Sequence, residues 1–237
     1  MDQLLFLDTE TTGNDFLIDR IFQICYSHKA SIQTEYFKPP LPISIKSQSI
    51  THVTNKMLEG KKSFATSKMK KDLEILLQKH ILVAHNAYFD IEMLFKEGLK
   101  TPQFICTLKL SRFLDTEGIV PEYNLQYLRY YLELDVKADA HNAQDDVRVL
   151  KALFAWQYKT MLLQHKTHDA VIEKMLEVSN RPSLFKVFNF GKHKGKKVED
   201  ILGIDRSYME WLLEKKLENT IVDEDWIFTL KYHLEKR

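Results

Sequence analysis

Residues 4–13 read Leu-Leu-Phe-Leu-Asp-Thr-Glu-Thr-Thr-Gly, an apolar run that passes straight into two carboxylates, Asp8 and Glu10. Side chains at i and i+2 of a strand share a face, so both anions project together from the end of a buried strand. Like charges that close repel, and desolvation adds to the cost unless a cation offsets it. Two readings are open at this point. Either the strand simply ends in polar residues, as most strands do, or the pair holds a divalent metal, for which oxygen-only ligands favour Mg²⁺ or Mn²⁺.

Two further blocks bear on that choice. His85-Asn86-Ala87-Tyr88-Phe89-Asp90 follows the apolar run 81–84 and leads into Ile91, Met93, Leu94 and Phe95, which have helical spacing. His141-Asn142-Ala143-Gln144-Asp145-Asp146 opens a segment with Val147, Leu150, Leu153 and Phe154 at i, i+3, i+6 and i+7, again a helix. Asp90 and Asp146 therefore fall at strand–helix junctions or in a first helical turn, where a helix N-terminus favours anions. With Asp8 and Glu10 they make four carboxylates accompanied by a histidine.

These three blocks, in this order and with all five diagnostic residues, resemble the exonuclease motifs of the DEDDh superfamily, the 3′–5′ exonucleases related to bacterial proofreading subunits. The resemblance spans roughly residues 1–156. Smaller stretches agree: 19–24 resembles the family's second strand, 50–54 its helix-leading loop, and Tyr123-Asn124-Leu125-Gln126-Tyr127-Leu128 the helix before the third motif. The resemblance implies a catalytic set of Asp8, Glu10, Asp90, Asp146 and His141, with two Mg²⁺ (or Mn²⁺) held by the four carboxylates. Asp8 would bridge both ions, Glu10 and Asp146 would hold the ion on the nucleophile side, and Asp90 would reach the other, partly through water. His141 would take the proton of the attacking water; an unperturbed histidine titrates near 6.5, so the neutral base is available at neutral pH. Thr11, Thr12 and Gly13 would cradle the terminal nucleotide, with a plain turn as the alternative for Gly13. Asn86 either contacts nucleic acid or caps the helix that follows.

Several neighbours read as structural. Asp145 and Asp146 point about 100° apart on a helix, so only one faces the metal, and spacing from His141 in the family favours Asp146. His85 reads as a hydrogen-bonding residue rather than a base, and Phe89 and Phe95 as core. Gln3-Leu4-Leu5-Phe6 resembles a sliding-clamp peptide but lies in the first strand and should be buried. Cys25 and Cys106 are isolated, which argues against a zinc site or a disulfide framework and for a reducing compartment.

The 237 residues, 44% hydrophobic, suit one full domain and a smaller one. No run reaches the ~20 apolar residues of a membrane span. The first residues lack a signal peptide's basic start and small-residue cleavage site, so a cytoplasmic protein without a membrane partner is expected. The net charge of +1 hides a local feature, five lysines at 186, 192, 194, 196 and 197 with no acid between them. That stretch, an alternating run and a two-glycine turn, predicts a hairpin. Asp205 predicts a helix N-cap ahead of Tyr208, Trp211, Leu212 and Leu213, which read as module core, and a last helix covers about 226–234. Phe190-Gly191-Lys192…Gly195-Lys196 with Tyr208-x-x-Trp211 resembles the C-terminal module of exonuclease-X-like bacterial proteins. Lys192, Lys194, Lys196 and Lys197 either grip a phosphate backbone or protect a soluble hairpin edge.

Strands are expected at about 3–8, 20–28, 33–38, 81–84 and 104–107, and helices near 65–79, 90–98, from Ala143 and over 168–178. The expected architecture is α/β, a ribonuclease-H-like mixed five-stranded sheet flanked by helices, plus a small α+β C-terminal module. The division is 1–165 exonuclease domain, 166–183 helix and linker, and 184–237 basic accessory module. The function implied is a 3′–5′ exodeoxyribonuclease releasing nucleoside 5′-monophosphates, with single-stranded DNA 3′ ends as preferred partner. RNA ends are the alternative substrate, and a polymerase-associated proofreading subunit the alternative role; nothing in the sequence indicates a protein partner.

Overall fold

The computed structural model describes residues 2–137, 143–219 and 222–235. Five strands form one sheet in the order β3-β2-β1-β4-β5. They are β1 (Leu4–Thr11), β2 (Ile21–His28), β3 (Ser31–Tyr36), β4 (Ile81–Ala84) and β5 (Phe104–Cys106). The first three are antiparallel, while β4 and β5 run parallel to β1, which gives the expected mixed sheet. The register of β1 against β2 shifts between Glu10 and Thr11, a bulge of the kind that re-aims a strand end.

Strand parity divides the core. Leu4 and Phe6 face one layer with Val83, Ile105, Val147, Leu150 and Phe154, whereas Leu5 and Leu7 face the other with Leu73, Leu77, Met93 and Leu94. The first layer is built by α4 (Thr107–Leu114), α6 (Ala143–His165) and α7 (His168–Ser179), the second by α2 (Lys68–Lys79) and α3 (Ala87–Lys96), while α1 (Ile45–Thr51) and α5 (Leu125–Tyr131) flank the carboxyl end of β1. Phe154 meets Phe6 edge-on at 5.3 Å, a geometry that adds about 1 kcal/mol to burial. Val171, Met175 and Val178 of α7 share this core. Ser67 and Thr167 cap α2 and α7 by accepting from backbone amides.

Several elements differ from the expectation. Strand β1 continues to Thr11, so Asp8 and Glu10 lie within the strand, held by pairing with Cys25 and Gln23 of β2. Helix α1 has only seven residues and no long apolar period; its one local signal is the Ser44 cap. Phe95 is exposed, not core, because it points off the outer side of α3. Cys25 and Cys106 are free and buried, and Leu4, Leu5 and Phe6 are buried as expected.

The C-terminal part packs Phe188, Val198, Ile201, Met209, Leu212, Trp226 and Leu230 into its own core. Its helices are α8 (Val198–Ile204), α9 (Arg206–Glu218) and α10 (Glu224–Glu235). The predicted hairpin is reduced to a single antiparallel bridge, Val187 to Lys197. Turns at 191–196 close it, with Gly195 N–H donating to the Phe188 carbonyl and Lys196 N–H to that of His193, and leave no length for a ladder. Trp211 is half-exposed and lies against Tyr208 at 5.7 Å instead of entering the core. The module meets the larger domain at Arg112, which pairs with Asp225 at 2.7 Å and lies 4.8 Å over the Phe185 ring.

Candidate active site

The parity that divides the core also assembles the site. Asp8 and Glu10 extend the Leu4–Phe6 face toward α6, whose first turn carries Asp146. Carboxylate oxygens of these three residues lie within 4.8 Å of one another. Thr9 points to the opposite face, toward α3, and its hydroxyl donates to Asp90 Oδ1 at 2.8 Å. Asp90 is buried in the first turn of α3. One strand thus reaches carboxylates on both layers. Gln126 of α5 donates from Nε2 to Asp146 Oδ1 at 2.7 Å, and Arg129 donates to Gln126 Oε1 at 3.2 Å and to the Val136 carbonyl.

The charges are costly as they stand. Burial, then the fields of Asp90, Glu10 and Asp146, holds Asp8 well above the ordinary carboxylate value. Burial and the charges of Asp146 and Asp90 push Glu10 up to about 8. Burial raises Asp90 to about 7, although hydrogen bonds from Thr9 pull the other way. Among the described residues no ion pair reaches Asp8, Glu10 or Asp90. An all-oxygen anionic set, three of whose members have no ion pair among the described residues, fits a hard divalent cation. Asp145, the neighbour of Asp146, pairs instead with Arg148. His141 lies outside the described residues.

His85 is structural. Its Nε2 donates to the Tyr123 carbonyl at 2.8 Å, which leaves Nδ1 to accept from the Thr107 hydroxyl at 2.9 Å. Burial lowers it to about 4, so the ring is neutral. Asn86 stands at the N-cap of α3 with φ 57°, and its side chain makes no capping bond.

Thr11, Thr12 and Gly13 form a locked turn. Thr11 donates to the Gly13 carbonyl at 2.7 Å, and the fully buried Thr12 donates to Asp19 Oδ1 at 2.6 Å. A Cβ on Gly13 would lie 2.4 Å from Asp19 Oδ2, so only glycine fits. Ser47 of α1 donates to the Thr11 carbonyl at 2.6 Å. Beside this turn lies a cavity of about 450 Å³ lined by Glu10, Thr11, Gly13, Ser47, Ile50 and Phe89 among others.

The five lysines are less free than their sequence suggests. Lys192 pairs with Asp205 at 2.6 Å, and Lys197 approaches Glu117 of the larger domain at 3.5 Å. Acids remote in sequence supply partners that the local stretch lacks. Asp205 caps α9 as expected. Thr9, Gln126 and Asp19 were not singled out from sequence. Thr9 could have been, since it sits between the two carboxylates, and Gln126 and Asp19 are polar residues inside the blocks 123–128 and 19–24.

A mixed sheet with carboxylates gathered at the end of its central strand defines a ribonuclease-H-like nuclease architecture. Residues 5–154 match the family model described as Exonuclease, and residues 188–216 match the Exodeoxyribonuclease X-like C-terminal model. The chain belongs to the exonuclease family and is a nuclease, a phosphodiester hydrolase. It is 28% identical to exodeoxyribonuclease 10 of Escherichia coli (strain K12), over 98% of this chain and 99% of that protein. It is 34% identical to the DNA polymerase III subunit epsilon of Treponema pallidum (strain Nichols), over 67% of this chain and 75% of that one. In fold it resembles exonuclease X in complex with 5′ overhanging duplex DNA, with a TM-score of 0.58 and 24% identity over 75% of this chain and 99% of that chain. E. coli exonuclease I in complex with a dT13 oligonucleotide gives a TM-score of 0.55 and 19% identity over 72% of this chain and 45% of that chain. No helix among the described residues is long and apolar enough to cross a membrane.

Proposed function

We propose that the protein is a metal-dependent exodeoxyribonuclease that removes nucleoside 5′-monophosphates from DNA 3′ ends, single-stranded ends first. The observation that carries this reading is the gathering of carboxylates at Asp8, Glu10, Asp90 and Asp146, of which Asp8, Glu10 and Asp90 have raised proton affinity and no ion pair among the described residues. DNA as substrate is supported by the relative named exodeoxyribonuclease and by the exonuclease fold neighbours in complex with DNA.

Asp8, Glu10 and Asp146 would hold one Mg²⁺ or Mn²⁺, with Asp8 and Asp90 reaching a second. Cations bound there would supply charge neutralisation at the phosphoryl group and acidify the attacking water. His141 would take the proton of the attacking water. The locked turn at Thr11–Gly13 offers backbone groups to the terminal nucleotide, which the cavity beside Phe89 is large enough to hold. Asn86 presents its amide to the strand, and Lys194 and Lys196, which have no acidic partner among the described residues, attract phosphates; Lys192 and Lys197 add to that field. The division into residues 1–165, 166–183 and 184–237 belongs to the same reading.

The test is digestion of equal amounts of 5′-labelled DNA and RNA strands with Mg²⁺ or Mn²⁺, the Asp8→Ala protein alongside. A DNA ladder shortening from the 3′ end, reduced at least about 1,000-fold in the variant, is expected. Preferential loss of RNA overturns the substrate assignment, and an active variant overturns the site.

A further inference from the structure

The boundary between the exonuclease domain and the C-terminal module is not closed. A cavity of about 860 Å³ opens at His85 and Asn86, one helical turn before Asp90. It passes between the segment 118–125 and residues 185–189 and reaches Lys194. A second cavity of about 350 Å³ shares Arg112 and Lys186 with the first. It continues the path past Lys109 to the α10 residues Phe228 and Tyr232. The two spaces adjoin at Arg112 and Lys186 and line up as one track whose near end is the N-terminus of α3, the helix that carries Asp90 in its first turn.

The chemistry along the track is one-sided. Among the described residues Glu122 is the only acidic one lining either space. Arg112 is engaged with Asp225, and Arg181 with Glu177. Lys109, Lys186 and Lys194 have no acidic partner among the described residues; Lys109 donates only to the Arg181 carbonyl. At the far end Phe228 and Tyr232, successive on one face of α10, lie 6.4 Å apart, with 39% and 38% of their surface exposed. Cations without carboxylates followed by exposed rings are the combination that holds single-stranded nucleic acid, phosphates on the first and bases on the second. An acidic peptide would use the lysines but has no use for the rings.

We infer that this seam is a second binding site, for the single-stranded nucleic acid that lies upstream of the 3′ end being removed. The inference rests on the nuclease reading above, and it gives the C-terminal module a role: it forms the far wall of the track.

The test measures fluorescence anisotropy of 5′-labelled oligo-dT of 4 and 16 residues with the wild-type protein in EDTA, where cleavage is stopped. The 16-mer should bind at least about tenfold tighter than the 4-mer. In the protein carrying Lys109→Glu and Lys186→Glu that advantage should vanish, and the slope of log affinity against log salt should become shallower by about 1.4, for two lost phosphate contacts on a single strand. Circular dichroism checks that the variant is folded, and a Phe228→Ala protein removes a ring without touching charge; it should also lose part of the 16-mer advantage. If the wild type digests the 4-mer in Mg²⁺ but binds both lengths alike, the seam is overturned and the nuclease reading stands. If it neither binds nor digests either, both fall. Poly-glutamate competing as well as DNA would make the seam an acidic-peptide site and overturn the proposal.

Discussion

At the carboxyl half of β1, Asp8, Glu10 and Asp90 are crowded together without an ion pair, and each is pushed toward its neutral form. Around Asp205 in the C-terminal module the charges are matched. Asp205 receives Lys192 and His193 and caps α9, and it is held well below the usual carboxylate value, chiefly by the Lys192 hydrogen bond. The first arrangement costs stability in the free protein and makes sense as a receptacle for a ligand of opposite charge. The second stabilises locally and needs no ligand. An unmatched charge cluster, more than a charged one, is thus the mark of function in this molecule.

The contrast can be broken most sharply at the groups that hold the carboxylates in place. Thr9→Val removes the hydroxyl that Asp90 accepts from and keeps the shape; Gln126→Ala removes the donor to Asp146. Each should weaken Mn²⁺ binding by about 10–100-fold, as loss of a partner behind a metal ligand typically does, read by electron paramagnetic resonance titration with no substrate present. Asp205→Asn, in the matched cluster, should leave Mn²⁺ affinity unchanged while lowering stability. Equal Mn²⁺ affinity in all three proteins would mean that the carboxylate cluster is not the receptacle.

A smaller effect tests how the two regions are joined. Gly118 has φ +69°, and a Cβ there would lie 2.6 Å from Lys186 Cβ. That atom sits next to the backbone and cannot swing away. Gly118→Ala should therefore cost about 1–3 kcal/mol, lowering the melting temperature by several degrees, and should expose the segment 180–187 to protease while the larger domain stays intact. Unchanged melting and protease resistance would show that the seam is softer than the contact implies.

The exonuclease half was legible because its chemistry is local. Asp8 and Glu10 share a strand face, Asp90 and Asp146 each sit in the first turn of a helix with a plain apolar period, and both patterns survive folding unchanged. What was not legible depends on residues far apart in sequence. The Thr9–Asp90 bond spans 81 positions and the Lys197–Glu117 approach spans 80, so neither leaves a periodic trace. The lysine-rich stretch read as unopposed for that reason. Trp211 and Phe95 were misplaced because helical spacing tells which residues share a face, not whether a partner covers it.

The two regions should also respond to pH in opposite directions. In metal-free protein Glu10 titrates at about 8 and Asp90 at about 7, against about 4 for unfolded chains. Between those values the folded state holds more protons than the unfolded one, so stability falls as pH rises from about 5 to about 8, and the penalty is complete above that. Asp205 is depressed, so its contribution is present above the ordinary aspartate value and is lost only as pH falls below it. Calorimetry in EDTA should show a melting temperature that declines by roughly a few degrees from pH 5 to pH 8. The decline should shrink in Asp8→Asn, which removes one like charge, and should be offset by added Mn²⁺, whose binding favours the ionised carboxylates. Asp205→Asn should keep the decline and alter only the acid limb, below about pH 4. A melting temperature that rises from pH 5 to pH 8 in EDTA would mean that some cationic group already balances the cluster, and the contrast between the two regions would fail.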